Sequence, residues 1–307
     1  MISIVIPVKD GGQDLVQCLD AIARQKADDE FEVIIVDSGS RDDSVAVARS
    51  RGADVTEIDP SEFNHGATRN LAASRASGEI LVFISQDAEP VGDDWLQLLT
   101  APLRDDEGLA GVYGRQLAHD DAVPPERFFL DFLYGPRPRV QEIAGPGEIS
   151  MESTLFSNAN SAIRRSAWER FPFASDIIMS EDQEWSRRVL LDGWRLAYEP
   201  HAVVRHSHPY TIGAAFRRFF DSGVSSERAY LGAAEPSRAV LRRTALQYMR
   251  AELGWLIRSG NARWIPYAGV YELAKLVGLQ LGTRHRSLPR WLKLRFTMNP
   301  SWWDAEG

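Results

Sequence analysis

The sequence predicts an α/β protein in which a mostly parallel sheet carries helices on both faces and a helical C-terminal region follows. Three observations lead there. Short apolar runs at Ile2–Ile6, Phe31–Val36 and Glu79–Ile84 alternate with stretches of helical spacing, the pattern of buried parallel strands joined by crossover helices. The chain is long and apolar enough for a large core, with 307 residues, 44% hydrophobic and 25% charged. From Ile212 onward it reads as mostly helical, interrupted by Pro236, Pro266 and Pro289.

The elements follow in order. Ile2–Ile6 is a β-branched strand expected to stop at Pro7. Residues Asp14–Arg24 place Leu15, Leu19 and Ile22 on one helical face. Phe31–Val36 precedes the turn-rich DSGSRDD, Ser44–Arg51 is a short helix closed by Gly52, and Ala53–Ile58 is a short strand. Thr68–Ala76 is helical and gives way at Gly78 to the strand Glu79–Ile84, after which Asp93 or Asp94 caps a helix carrying Trp95, Leu96, Leu98 and Leu99. Residues 118–150, rich in proline and poor in periodicity, read as a mobile or ligand-shaped excursion. Structure resumes at Ser161–Arg164. In MSEDQEWSRRVLLDG, Ser180 and Gln183 have capping-box spacing and Gly193 ends the helix. Arg195–Tyr198 and Ala202–Arg205 read as two short strands before HSHPYT.

Composition excludes several classes. The longest apolar runs, Ile80–Ile84 and Val33–Val36, fall far short of the roughly 18 residues of a membrane span. The opening MISIVIPV has no basic segment or cleavage pattern of a secretory signal, so an intracellular protein is expected. One cysteine, Cys18, excludes an internal disulfide and a multi-cysteine zinc site. Neither G-x-G-x-x-G nor a P-loop nor a G-x-S-x-G elbow is present, which disfavours a dinucleotide-binding dehydrogenase, a P-loop kinase and an α/β-hydrolase. Charge is divided unevenly: residues 1–235 carry a formal −16 and residues 236–307 a formal +8. The acidic body argues against nucleic acid as a ligand, and the basic tail suggests a specialised surface.

Ligands of open α/β sheets bind at the carboxyl ends of the strands. Four polar clusters stand there: Pro7-Val8-Lys9-Asp10-Gly11-Gly12, Asp37-Ser38-Gly39-Ser40, Ser85-Gln86-Asp87-Ala88 and His206-Ser207-His208. Taken singly, each is as well explained by a turn. Together they describe a crevice of acids and histidines suited to a nucleotide, its diphosphate and a divalent cation.

The motifs IVIPVKDGG, IIVDSGSRDDS, FNHGATRN, ILVFISQDAEP, MSEDQEW and VVRHSHPYT occur in this order. With the tail segments IPYAGVYELAKLVGLQLG and LPRWLK, they make the chain resemble the family-2 glycosyltransferases of GT-A fold, and within them the bacterial rhamnosyltransferase branch that uses dTDP-L-rhamnose. The resemblance implies an inverting transfer with Asp182 as general base and Glu181 positioning the acceptor or Asp182 itself. It places Pro7, Val8 and Lys9 around the base, Asp37 on the base or ribose, and Arg69 at the diphosphate, with Gln86 and Asp87 in the donor site. Asp87 would hold Mg²⁺ or Mn²⁺ with His206 or His208. The sequence departs from the family's D-x-D pattern here, keeping one acid in Gln86-Asp87-Ala88. A UDP- or GDP-sugar donor and a non-catalytic nucleotide-binding scaffold are the alternatives.

The tail interleaves basic residues such as Arg242, Arg243, Arg250, Arg258 and Arg263 with Trp255, Trp264, Tyr267, Trp291, Trp302 and Trp303. This suits a helical region lying on an anionic membrane, consistent with a polyprenyl-diphosphate-linked glycan acceptor and peripheral placement on the inner face of the membrane. Packing on the catalytic domain or across a homodimer explains the same aromatics. Residues 1–235 are thus expected to be the catalytic domain and 236–307 the basic tail.

Overall fold

The apolar runs form the centre of one sheet. β1 (Ile2–Val8) lies between β2 (Phe31–Asp37) and β4 (Ile80–Ile84), parallel to both, and β3 (Asp54–Glu57) extends the parallel set beyond β2. The computed structural model describes residues 1–231 and 238–305. Alternation divides the side chains of β1 between two cores: Ile2, Ile4 and Ile6 point to one face, Val5 to the other. On the first face α1 (Gly12–Ala23) contributes Leu15, Leu19 and Ile22, α2 (Ser44–Ser50) adds Ala48, and α4 (Trp95–Asp105) adds Trp95, Leu96 and Leu99. The second face is covered by Ala72 and Ala73 of α3 (His65–Arg75), Trp168 of α6 (Arg165–Arg170), and Trp185 and Val189 of α7 (Glu181–Leu191). Full burial of each large aliphatic side chain contributes about 1.5–3 kcal/mol, so this two-sided core fixes the strand ends that carry the polar loops.

The expected α/β sheet between helices is present, and its parallel pairing holds through β3-β2-β1-β4. Beyond β4 the sheet is mixed. β8 (Asn160–Arg164) runs antiparallel to both β4 and β6 (Leu109–Leu117), β6 is parallel to β9 (Arg195–Arg205), and β5 (Glu89–Pro90) and β7 (Arg139–Gln141) pair antiparallel with β9.

Several local expectations are corrected. β1 runs through Pro7, because its register with β4 ends at Val5 and Phe83, and beyond that point a residue without an N–H breaks no ladder on that side. The excursion at 118–150 is ordered as α5 (Pro124–Leu133) and β7. Its prolines at the first helical positions start a helix, where the missing N–H is harmless. The two short strands before HSHPYT are one strand, β9, whose pairing with β6 shifts register between Gly114 and Arg115. At α4, Asp94 stands at the cap without a side-chain bond, and Gln25, just after α1, accepts the Leu96 N–H instead.

The tail packs on α8 (Ile212–Ser226). α10 (Ile265–Gly282) lies against it so closely that a Cβ at Gly278 would come within 2.3 Å of the Phe216 carbonyl oxygen. α11 (Arg290–Phe296) and α12 (Pro300–Ala305) fold back, with Phe296 and Trp303 against Phe220. The Asp221 carboxylate accepts hydrogen bonds from Thr297 Oγ1 at 2.7 Å and Met298 N at 2.8 Å, latching this segment to α8. α9 (Arg238–Arg258) completes the region. The expected boundary at 235/236 and the side chains of Arg242 and Arg243 lie outside the described residues. Among the described residues no helix is long and apolar enough to cross a membrane.

Candidate active site

The carboxyl ends of β1, β2 and β4, with the start of α3, enclose a cleft of about 200 Å³ lined by Pro7, Val8, Lys9, Ser38, Phe63, His65, Arg69, Ser85, Gln86 and Asp87. Six of the residues singled out in the sequence, Pro7, Val8, Lys9, Arg69, Gln86 and Asp87, therefore line one cleft. Asp37, buried at the end of β2, stands behind it next to Ser38.

Hydrogen bonds make the wall of β1, β2 and β4 rigid. Gln86 accepts the Lys9 N–H at 2.8 Å and donates to the Lys9 carbonyl at 3.0 Å, clipping the end of β1 to the loop after β4. Asp37 accepts from the N–H groups of Gly39 and Ser40, both at 2.9 Å, and from the Ser40 hydroxyl. The Asx-turn reading of Asp37 is thus realised, with the carboxylate facing its own loop. Gln86, placed in the donor site by resemblance, has its amide committed to Lys9. Lys9 itself is exposed on the rim.

Asp87, His206 and His208 converge, their ligand atoms within 4.8 Å of one another. His206 Nε2 lies 3.4 Å from Asp87 Oδ1, and His208 Nδ1 lies 3.5 Å from Asp87 Oδ2. Both histidines, not one, meet the carboxylate. The other nitrogen of His206, Nδ1, is 2.8 Å from Gln116 Oε1. That contact fixes the ring so that Nε2 faces Asp87, as a second hydrogen bond orients a ligating histidine. One carboxylate and two imidazoles fit a first-row divalent ion such as Mn²⁺, and Mg²⁺ with more water. Burial works to raise the Asp87 pKa, but the His206 hydrogen bond and the two imidazoles outweigh it and hold it at about 2. Burial, then the charge of His206, pushes His208 down to about 4. The carboxylate is ionised and His208 neutral at pH 7, as ligands must be.

The motif FNHGATRN builds the opposite wall. Asn64 caps α3 by accepting from Gly66 N and Ala67 N, each at 3.0 Å, and donates to the Ile177 carbonyl at 3.1 Å. A Cβ at Gly66 would sit 2.0 Å from the Ala174 carbonyl oxygen, so only glycine admits this approach. Asn70 donates to the Phe173 carbonyl at 2.8 Å and accepts its N–H at 3.0 Å. Together these bonds hold the segment leading into α7.

Arg69 and Glu181 form a buried pair, Nη1 to Oε1 at 2.7 Å. The sequence expectation had Arg69 at a diphosphate and Glu181 at the acceptor. In the structure the two face each other, which leaves Arg69 Nε unpartnered and Glu181 without a free carboxylate edge toward solvent. Burial favours protonating Glu181, and the charges of Arg69 and His65 override it, so its pKa is lowered. The next residue behaves oppositely. Asp182 is half-buried, accepts N–H bonds from Gln183 at 2.8 Å and Asn158 at 3.2 Å, and is pushed up to about 6 by burial and then by the charge of Glu181. Ser180, expected to cap α7 through its side chain, makes no such bond. It adopts φ 64°, a left-handed conformation that is strained for a non-glycine residue, and turns the chain sharply into the Glu181-Asp182 pair.

Sequence reasoning missed the residues that connect these parts. Gln116 Nε2 donates to Ser157 Oγ at 3.0 Å and to Tyr134 Oη at 2.9 Å while its Oε1 holds His206. Ser157 precedes Asn158, whose N–H holds Asp182. A polar relay thus runs from the histidine cluster to the carboxylate of α7. Contacts this distant in sequence leave no local spacing signal, although His65 stands inside a motif already noted. Its ring meets Phe63 edge-on at 4.9 Å, and burial pushes its pKa down to about 4.

The sequence profile described as Glycosyl transferase family 2 matches residues 3–171. The chain is 32% identical over 312 residues to the O-antigen chain rhamnosyltransferase RfbN of Salmonella typhimurium, covering 99% of this chain and 96% of that protein. It is 33% identical over 281 residues to the O-antigen chain rhamnosyltransferase WbaN of Salmonella anatum, covering 89% and 86%. In fold it is similar to the mannosyltransferase PcManGT from Pyrobaculum calidifontis in complex with GDP-Man and Mn²⁺, with TM-score 0.61 and 18% identity over 91% of this chain and 86% of that one. It is also similar to S. aureus TarS 1-349, with TM-score 0.52 and 16% identity over 93% and 90%.

Proposed function

This chain belongs to glycosyl transferase family 2, and on that premise we propose that it transfers L-rhamnose from dTDP-L-rhamnose to a hydroxyl of a lipid-linked surface-polysaccharide intermediate, with inversion. The observation that carries the reaction is the half-buried Asp182, held by two backbone N–H groups with a pKa near neutrality and joined through Asn158, Ser157 and Gln116 to the Asp87–His206–His208 cluster. The sugar follows from two relatives named as rhamnosyltransferases over most of the chain. The thymidine base follows from the sequence motifs.

In this reaction Asp182 removes the proton of the acceptor hydroxyl as its oxygen bonds to the anomeric carbon. The bond from that carbon to the diphosphate oxygen breaks, and its electron pair leaves with dTDP. Pro7, Val8 and Lys9 shape the base pocket, with Asp37 and Gln86 fixing the loops behind it. Glu181, paired with Arg69, raises the proton affinity of Asp182 by like charge. Asp87, His206 and His208 would hold Mg²⁺ or Mn²⁺, which supplies charge neutralisation on the departing diphosphate.

The tail fits an anionic membrane surface. Leu246, Met249, Leu253 and Ile257 recur along one side of α9, and Val270, Leu273 and Val277 along α10, all exposed. The two helices flank an apolar groove of about 290 Å³ away from the cleft. Arg250, Arg258 and Arg263 beside it are exposed too. The exposed apolar surface is largely aliphatic, because Trp303 and Tyr271 pack inward. Basic residues around an apolar face match anionic headgroups and bring a lipid-linked acceptor to the cleft. A second copy of the chain is the competing occupant.

The test is transfer by the purified protein with Mg²⁺ or Mn²⁺, a lipid-linked acceptor, and dTDP-L-rhamnose, UDP-glucose or GDP-mannose in parallel. Acceptor-dependent dTDP release with a rhamnosylated product is expected. Release from another donor alone overturns the donor assignment, and binding of nucleotide sugars without transfer to any acceptor favours the scaffold reading. Flotation with anionic vesicles, and not with neutral ones, is expected for the tail. Its absence together with a dimeric mass assigns the apolar face to a second copy.

A further inference from the structure

Among the described residues, two cations near the cleft, Lys9 and Arg218, pair with no carboxylate. Lys9 stands exposed on the rim, and Arg69 is held by Glu181 at 2.7 Å in a buried pair. Arg218, on α8 just after the HSHPYT loop, is half-buried and rests on a thioether: its Nη1 lies 3.1 Å from Met179 Sδ. Among the described residues no acid pairs with it. The carboxylate nearest along its own helix, Asp221, is taken by Thr297, Met298 and Asn299 of the tail.

The carboxylate that the Arg218 charge reaches on α8, Asp221, is already held by the tail. The Arg218 charge bears on His65, which lines the cleft, on His208 of the histidine cluster, and on Tyr210 between that cluster and α8. Met179, which it touches, lies two residues before Glu181, and Ser222 of α8 is also 3.3 Å from the Met179 sulfur. The guanidinium therefore bridges α8 and the segment entering α7, within electrostatic reach of His65 in the cleft wall and of His208 in the cluster. Holding a half-desolvated guanidinium beside imidazoles with only a sulfur acceptor is costly unless an anion completes the site.

We propose that Arg218 is the residue that binds the diphosphate of the donor and stabilises it as the leaving group, while Arg69 is a positioning residue that locks Glu181. The proposal rests on the transferase reading above. A planar guanidinium makes paired N–H bonds to phosphate oxygens. Located next to the cluster that would hold the divalent ion, it neutralises charge that grows as the bond to the anomeric carbon breaks. The weak contact to Met179 is easily exchanged for a phosphate oxygen, whereas Arg69 is tied through Nη1 to the Glu181 carboxylate.

The experiment compares the full chain with Arg218→Gln and Arg218→Lys, measuring binding of dTDP, UDP and GDP and of the matching nucleosides by calorimetry, and transfer kinetics where an acceptor is available. For the diphosphate that wild type binds best, Arg218→Gln is expected to weaken binding by about tenfold or more while nucleoside binding is unchanged. Loss in kcat is expected at about a hundredfold, with Arg218→Lys recovering part of both. Circular dichroism and thermal melting of each variant identify a folding defect. If Gln at 218 unfolds the chain, Arg218→Lys, which keeps the charge but loses the paired geometry, carries the test through the same diphosphate-to-nucleoside ratio. Unchanged diphosphate affinity and kcat in a folded variant overturn the inference alone. Failure of wild type to bind any nucleoside diphosphate overturns it along with the transferase reading.

Discussion

The two sides of the cleft treat their polar groups differently. On the side of β1, β2 and β4, side chains are consumed by the protein itself: Asp37 by Gly39 and Ser40, Gln86 by Lys9, and Asp42 by Gly12 at 2.9 Å and Ser44 at 3.0 Å. On the side of α7, β9 and α8, groups are held from behind and left open in front. His206 is gripped by Gln116 through Nδ1 only, Asp182 by backbone N–H groups, and Arg218 by a sulfur. The first side is a fixed shape against which a nucleoside can be matched. The second has unfilled donor and acceptor capacity, which suits it to the proposed exchange of a cation, a proton and a diphosphate. Preorganised groups with open valence stabilise a transition state without rearrangement.

Alterations on the open side should therefore damage chemistry, and those on the closed side should damage stability. The largest expected effect is that of Asp87→Ala, since Asp87 reaches from the loop after β4 to the open side and supplies the only acid of the histidine cluster among the described residues. Transfer should fall by about a hundredfold to a thousandfold, with metal dependence read by adding Mn²⁺ to chelator-treated protein. Wild-type activity in that variant would detach the cluster from catalysis. Next comes Arg69→Met, which leaves Glu181 buried without its partner. A loss of about 3 kcal/mol in unfolding free energy is expected, measured by urea titration, and a smaller loss than Lys9→Ala would contradict the assignment of Arg69 as a structural lock. Gln116→Leu is a milder blow, since it frees His206 from its second contact. Metal affinity should drop about tenfold by calorimetry with Mn²⁺, and saturating metal should restore transfer.

The smallest effect is a pH dependence. Asp182 works as a base only when ionised, so kcat/KM should rise with pH and reach half its plateau near the group's pKa of about 6. The stability contribution has the opposite sign. A carboxyl whose folded pKa is raised keeps its proton where the unfolded chain has lost it, so this part of the stability is full below the ordinary value of 3.8 and is lost as pH rises through about 6. A rate profile with no inflection between pH 5 and 7 would remove Asp182 as the titrating group.

Much of this was legible in the sequence, for reasons that differ by element. The central strands announce themselves because β-branched runs such as Ile2–Ile6 have few other uses. Asp87, His206 and His208 could be singled out together because polar clusters mark the strand ends, and Asp182 because MSEDQEW resembles a family motif. The excursion at 118–150 was misread because Pro124 and Pro125 look like breakers unless the helix start they occupy is known. Ser180 has the spacing of a capping box and none of its geometry, because the turn forces it left-handed. The Arg69–Glu181 pair joins residues 112 positions apart, and Gln116 reaches His206 across 90. Neither spacing obeys a helical or strand period, so only the folded sheet brings them together. Arg218 carried no motif at all, and what marks it is the absence of a carboxylate partner.

The contrast is sharpest between two adjacent residues on α7, of which one is proposed to lock the structure and the other to perform the chemistry. Transfer rate, dTDP affinity and melting temperature of Asp182→Asn and Glu181→Gln, measured side by side at pH 7, test it most directly. Asp182→Asn should lose transfer by about a hundredfold or more while binding dTDP normally and melting no lower than wild type, because it removes a like charge beside Glu181. Glu181→Gln should melt lower, having left Arg69 unpaired. An Asp182→Asn protein that still transfers, beside a Glu181→Gln protein that melts normally but is inactive, would exchange the two roles and contradict the account.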